Sequence, residues 1–136
     1  NDSTTALSCI DYLTAILISM AKRPSRPPLF FCKDELRLIV NQQRFEDYFD
    51  LAFNQIRQNA AGNVAVILRL LNSMEVLGKG NQTFNVQDER LERHELLETQ
   101  TRLLYELAKK TIKADADLQT VARHYKHVSE TLEGLR

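Results

Sequence analysis

The chain has no tryptophan, only four glycines, three prolines and two cysteines, and no excess of either charge. Glycine and proline supply the turns of a many-stranded sandwich. Their scarcity over 136 residues excludes that architecture and favours long, uninterrupted helices. Cys9 and Cys32 are too few for a secreted disulfide scaffold and fit reduced thiols in a bacterial-type cytosolic setting, although the sequence leaves a bond between them open. Eighteen basic residues balance eighteen acidic ones, which removes the simplest argument for nucleic acid as a partner, a strongly basic domain. Motifs are missing too. There is no glycine-rich phosphate loop, no Gly-x-Ser-x-Gly elbow and no His-Glu-x-x-His pair, so no catalytic residue, metal or cofactor is expected.

What remains is 43% apolar and 26% charged residues, the composition of one folded domain. A chain of this length buries roughly 70% of its unfolded surface and needs no metal or disulfide to be stable. The opening Asn1-Asp2-Ser3, without Met or a signal peptide, reads as a cut from a longer protein.

Helical periodicity predicts five helices, at about 4–22, 44–60, 64–77, 86–113 and 116–133. The first carries the stripe Ala6, Ile10, Leu13, Leu17 and Met20. Leu7, Cys9, Ile16 and Ile18 widen it to half the circumference, so burial on more than one side is expected. The run 6–21 falls short of a membrane span of ~20 apolar residues and contains Asp11, Tyr12 and three hydroxyls. All three prolines lie within 24–28 and force an extended linker. Two β-prone runs around Lys33-Asp34-Glu35 then read as a hairpin, within a linker-and-hairpin stretch at 24–40. A two-stranded hairpin is marginal alone and must pack on helices or pair with another chain.

Phe45, Tyr48, Phe49, Ala52, Phe53 and Ile56 give the second helix an aromatic face, and Gly62 supplies a left-handed stop. Asn63 caps a third helix that is apolar on both sides, hence central, and Gly78-Lys79-Gly80-Asn81 is expected to break it. The fourth helix has Leu97, Thr101, Leu104, Ala108 and Ile112 on one side. On another side it has Leu96, Leu103 and Leu107, whose partner is either a helix of the same domain or a second copy. Asp115 or Asp117 is expected to cap the fifth. The fold class is therefore all-α: an irregular bundle of about five helices in a single domain, with a small hairpin between the first two.

Several clusters invite chemistry. His124, His127 and Glu130 share a helix face, but no second element offers a ligand, so a solvated pair is expected. His94 reads as a half-buried histidine bonded to Glu98, the run 88–95 as a solvated face, and Cys9 as an inert packed thiol. Lys22, Arg23, Arg26, Lys33 and Arg37 gather positive charge around the linker and hairpin, diluted by Asp34 and Glu35; the functional alternative to a solvated loop is an anionic lipid surface.

Asn1-Asp2-Ser3-Thr4-Thr5-Ala6 followed by Cys9-Ile10-Asp11-Tyr12-Leu13 resembles the "ALSPxxNDPxTA…cLDxL" signature of bacterial predicted membrane proteins in domain of unknown function 2254. Arg23-Pro24 with Pro27-Pro28 resembles that family's proline-rich connection. Asp50-Leu51-Ala52-Phe53-Asn54-Gln55-Ile56-Arg57 resembles its "lafdqIR" helix, and residues 63–71, ending Arg69-Leu70-Leu71, its "dpavalrLL" helix. The likeness covers residues 1–77; Ser3 stands where the family commonly has Pro. The resemblance implies a soluble part, on the cytoplasmic side, of a bacterial inner-membrane protein whose transmembrane helices lie nearer the N-terminus. It carries no reaction.

The polar positions carried over are Asn1, Asp2, Thr5, Asp11, Gln55, Arg57 and Arg69, expected to cap the first helix and join helices through hydrogen bonds. The expected work is noncatalytic assembly or regulation, through self-association or through contact with the transmembrane part of the full-length chain. The alternative, a ligand- or metal-binding domain and conceivably an enzyme, is built around Asp2, Asp11, Arg57 and Arg69 or the His124/His127 pair and requires those side chains to converge in one pocket.

Overall fold

In the turn after the second helix, Gly62 takes φ +73°, and its N–H donates to Thr111 Oγ1 at 2.9 Å, tying this turn to the far end of the fourth helix. Asn63 follows, and its Oδ1 accepts from the Val66 N–H at 3.2 Å, which starts the central helix. The computed structural model describes residues 2–22, 29–39, 44–83 and 87–136. The elements are α1 (Asp2–Ala21), β1 (Leu29–Cys32), β2 (Glu35–Ile39), α2 (Phe45–Asn59), α3 (Val64–Asn81), α4 (Gln87–Thr111) and α5 (Asp115–Leu135).

The two apolar sides of α3 are both used: it packs against α1, α4 and α5, with Val66, Ile67, Leu70, Leu71, Met74 and Leu77 buried. Around it close Phe49 and Phe53 of α2, Leu97, Leu104 and Ala108 of α4, and Val121, Val128 and Leu132 of α5. Each of these residues belongs to a stripe legible at helical spacing. The short link between α4 and α5 makes them antiparallel neighbours, with Tyr105 stacked on Tyr125 at 4.3 Å.

α3 runs through the glycines expected to end it and stops at Asn81. The glycines serve close approach instead. A Cβ on Gly78 would lie 2.4 Å from Leu132 Cδ2, so Gly78 lets α5 sit close, while Gly80 faces Ile18 of α1. The fifth helix starts after Ala114, which makes no side-chain cap; Asp115 and Asp117 lie in its first turn, where carboxylates favour the positive end of the helix dipole.

The hairpin forms as expected. Its two-residue turn contains no glycine, yet Lys33 and Asp34 both take positive φ, 52° and 65°, as a tight two-residue hairpin turn with right-handed strand twist demands. The antiparallel register pairs Leu29 with Ile39, Phe30 with Leu38, Phe31 with Leu36 and Cys32 with Glu35, and shifts between Phe30 and Phe31. Among the described residues the hairpin makes no extensive packing with any helix.

Candidate functional site

Along α1, Ile10, Thr14, Leu17 and Ala21 recur at intervals of three and four and are buried against the core. The expected widening of the buried stripe is met only in part: Leu7 and Ile18 are partly buried and pack against the core, but the far side stays open. Tyr12 is 74% exposed and Ile16 54%, and Cys9, expected to be packed, is an exposed free thiol on the same side. The reason is topological: α3 covers one side of α1, and α2 touches it much less. α1 is also long and apolar enough, by length and composition, to cross a membrane: Thr4–Ala21 has mean hydropathy 1.5, above what its polar interruptions led us to expect.

The seam between α1 and α3 is where two of the carried-over polar residues meet. Arg69 Nη1 donates to Asp11 Oδ2 at 2.7 Å across the edge of the contact. Both side chains are partly in solvent, so the pair contributes ~0–1 kcal/mol and acts chiefly to set the rotation of α1 on α3. Beneath it, the buried Thr14 hydroxyl lies 2.7 Å from the Ile10 carbonyl and 2.9 Å from the Ser73 hydroxyl, which lies 3.0 Å from the Arg69 carbonyl. These buried hydroxyls are thereby satisfied inside the seam.

Gln55 points elsewhere. It lines a cleft of about 380 Å³ between α1, α2 and α3, with Ala6, Cys9, Ile56, Asn59, Asn63 and Val66. The lining offers carboxamides, one thiol and apolar wall but no ionised group. Arg57 lies 200° around α2 from Gln55, given 100° per residue. Its Nη2 donates to Asn54 Oδ1 at 3.3 Å, and its Nε is buried without a hydrogen bond. Thr5 is an exposed residue of α1, Asp2 begins that helix, and Asn1 lies outside the described residues. The structure therefore brings Asp11 to Arg69 and leaves Gln55 and Arg57 in two other places.

The back half holds residues that sequence reasoning undervalued. The run 88–95 is not wholly a solvated face, because Arg93 and His94 are 4% and 2% exposed. Arg93 Nη1 donates to the Ala21 carbonyl at 3.0 Å, a carbonyl in the last turn of α1 with no partner inside its own helix. The guanidinium also stands 4.7 Å from the centre of the Phe45 ring and 3.7 Å from Glu89 Oε2. Burial pushes Arg93 below its usual pKa, while Glu89 and Glu46 oppose that shift. The faint signal in sequence was position: Arg93 lies four before Leu97, on the buried stripe.

His94 Nε2 lies 2.9 Å from Glu98 Oε1, the expected pairing, but more deeply buried and at an orientation outside hydrogen-bond geometry. Glu98 borders a second cleft of about 380 Å³ between α4 and α5, with Glu95, Arg102, Tyr125, Ser129 and Arg136. Arg136 Nη2 and Nη1 reach Glu95 and Glu98 at 3.4 and 3.6 Å. His127 Nε2 stands 3.3 Å from Glu75 Oε1 on α3, which also holds Lys79 Nζ at 3.0 Å, and His124 Nδ1 stands 3.1 Å from the Thr120 carbonyl. Burial pushes the Glu75 carboxyl up, but Lys79 and His127 together outweigh it and hold it below the usual carboxylate range. Among the described residues no group of three or more His, Cys, Asp or Glu could hold a metal ion.

Leu96 and Leu107 are partly buried and pack against the core, and Leu103 is half-buried. Of the basic group, Lys22 is exposed just beyond α1, Lys33 is exposed in the hairpin turn and Arg37 lies on β2; Arg23 and Arg26 fall outside the described residues. No curated protein and no solved structure matches the chain. A family model described as "Predicted membrane protein (DUF2254)" matches residues 1–76 of the 136, more than half the chain and the stretch that contains α1, the hairpin, α2 and most of α3. The chain therefore belongs to the family of predicted membrane proteins called domain of unknown function 2254.

Proposed function

We propose that the chain is a noncatalytic assembly or regulatory domain of a bacterial inner-membrane protein, held on the cytoplasmic side. Its docking surface is the outer side of α1, and the occupant is the membrane-embedded part of the same full-length chain. The observation that supports this reading is the mismatch between composition and burial in α1. A helix apolar enough to span a bilayer leaves Tyr12 and Ile16 largely in solvent, so Ile16 forgoes on the order of 1 kcal/mol of the roughly 1.5–3 kcal/mol that full burial of such a side chain is worth. That side mixes Cys9, Tyr12, Ala15 and Ile16 with Thr5, Ser8 and Ser19, all exposed, and the apolar members are the contact points of the proposed docking. Membership of a membrane-protein family supplies an occupant of matching chemistry.

Cys9 offers the test, since it lies three and seven residues before Tyr12 and Ile16, on the same side of the helix. With Cys32→Ser in place, maleimide labelling of Cys9 should be rapid in the isolated chain and at least about tenfold slower in the full-length protein in native membranes, because access controls thiol reactivity. Equal rates would remove α1 as the docking surface. Protection of Cys9 in the isolated chain that grows with protein concentration would assign the face to a second copy and defeat this proposal.

A further inference from the structure

The seam between α4 and α5 does not close along its whole length. Tyr105 stacks on Tyr125 at one end, and beyond that pair, toward the start of α4 and the end of α5, the helices part into the cleft of about 380 Å³. Glu95, Glu98 and Arg102 recur at intervals of three and four, so they meet the cleft from one side of α4, while Tyr125, Ser129 and Arg136 meet it from α5. Two carboxylates and two guanidiniums thus line one cleft, and their charges cancel. The pairs they already make are loose. Arg136 stands 3.4 Å from Glu95 and 3.6 Å from Glu98, longer than the roughly 2.7–2.9 Å of a strong charge-assisted bond. Arg136 and Glu95 are also more than half exposed, at 53% and 66%, where such pairs hold weakly and are readily exchanged.

Two of these groups have capacity left over. Arg102 makes no hydrogen bond or ion pair among the described residues, although its charge reaches Glu106 on its own helix. Glu98 Oε1 is buried without a hydrogen bond, and so are both nitrogens of His94 beside it, so the carboxylate on the cleft wall still lacks a donor. We infer that this cleft binds a free amino acid as its zwitterion. Glu98 and Glu95 accept from the ammonium, and Arg102, joined by Arg136 as it swings off the two carboxylates, holds the ligand's carboxylate. A ligand with one charge would satisfy one pair of side chains and leave the other facing nothing, so selection falls on molecules that carry both. The inference stands apart from the docking of α1: the cleft lies beyond residues 1–76, on two other helices, and has its own readout.

Titration calorimetry of the 136-residue chain with L-alanine, L-leucine and L-phenylalanine covers three sizes of side chain. At least one should bind saturably with a Kd below about 1 mM. The N-acetyl derivative of that amino acid keeps only the carboxylate, and its methyl ester keeps only the ammonium. Each should bind at least about tenfold more weakly. Glu95→Gln and Arg102→Gln, both at exposed positions, should each weaken binding about tenfold while the urea midpoint stays where it was. No saturation by any of the three amino acids at about 10 mM overturns the inference. So does a derivative that binds as tightly as its parent amino acid, or binding that neither variant weakens.

Discussion

Replacing Arg93 by alanine separates two readings of the segment 88–95. If the segment were a solvated charged face, the change would cost less than about 0.5 kcal/mol. In the fold, Arg93 is 4% exposed and does three things at once. It donates a charge-assisted hydrogen bond to the Ala21 carbonyl at 3.0 Å, worth about 2 kcal/mol. It stands over the Phe45 ring at 4.7 Å, worth about 1 kcal/mol where water is largely excluded. Its aliphatic stem is buried with it, adding a further loss of about 1 kcal/mol on truncation. The expected destabilisation is about 3–4 kcal/mol, a large share of the 5–15 kcal/mol typical of a domain. Urea unfolding followed by circular dichroism measures it, with Arg102→Ala, at an exposed position on the same helix, as the surface control. Arg93→Met restores the packing but neither the charge nor the donor to the Ala21 carbonyl, and should recover about a quarter of the loss. A destabilisation below 1 kcal/mol for Arg93→Ala, or one equal to that of Arg102→Ala, would refute the claim that this side chain joins α1 to α4.

Two further changes follow from the same packing. Gly78→Ala and Gly80→Ala gain the same helix propensity, up to about 1 kcal/mol. The new Cβ of the first meets fully buried Leu132 at 2.4 Å, whereas that of the second meets Ile18 at 3.6 Å, an ordinary contact. Gly80→Ala should therefore raise the melting temperature, and Gly78→Ala should fall below it by about 1–3 kcal/mol in urea unfolding. Glu75 supplies the pH dependence. Its folded pKa lies below its unfolded one, so its contribution is complete above the ordinary carboxylate range and is lost as pH falls through the folded value. Melting curves from pH 7 to pH 3 should show a smaller acid loss for Glu75→Gln than for the parent chain; an equal loss would remove this carboxylate from the acid transition.

Helical spacing was enough to read the all-α class, the central place of α3 and the buried stripes of α2, α4 and α5, because each depends on residues three or four apart in one element, and two β-prone runs around a short turn were enough for the hairpin. The ordered motifs of the first 76 residues were likewise enough to indicate the family. Three things were settled only by the assembled bundle. Which side of α1 is covered depends on how many neighbours reach it, so Cys9 and Ile16 look as core-like in sequence as Ile10 does, yet remain exposed. Gly78 and Gly80 look like helix stops until α5 and α1 press against them, since the tightness of an interhelical approach is a property of two chains of contacts and not of one. Arg93 looks like one charge among many until a carbonyl at the end of α1 and the Phe45 ring close over it. Periodicity states what a helix can bury; only tertiary packing decides which sides are buried and which are left for a partner.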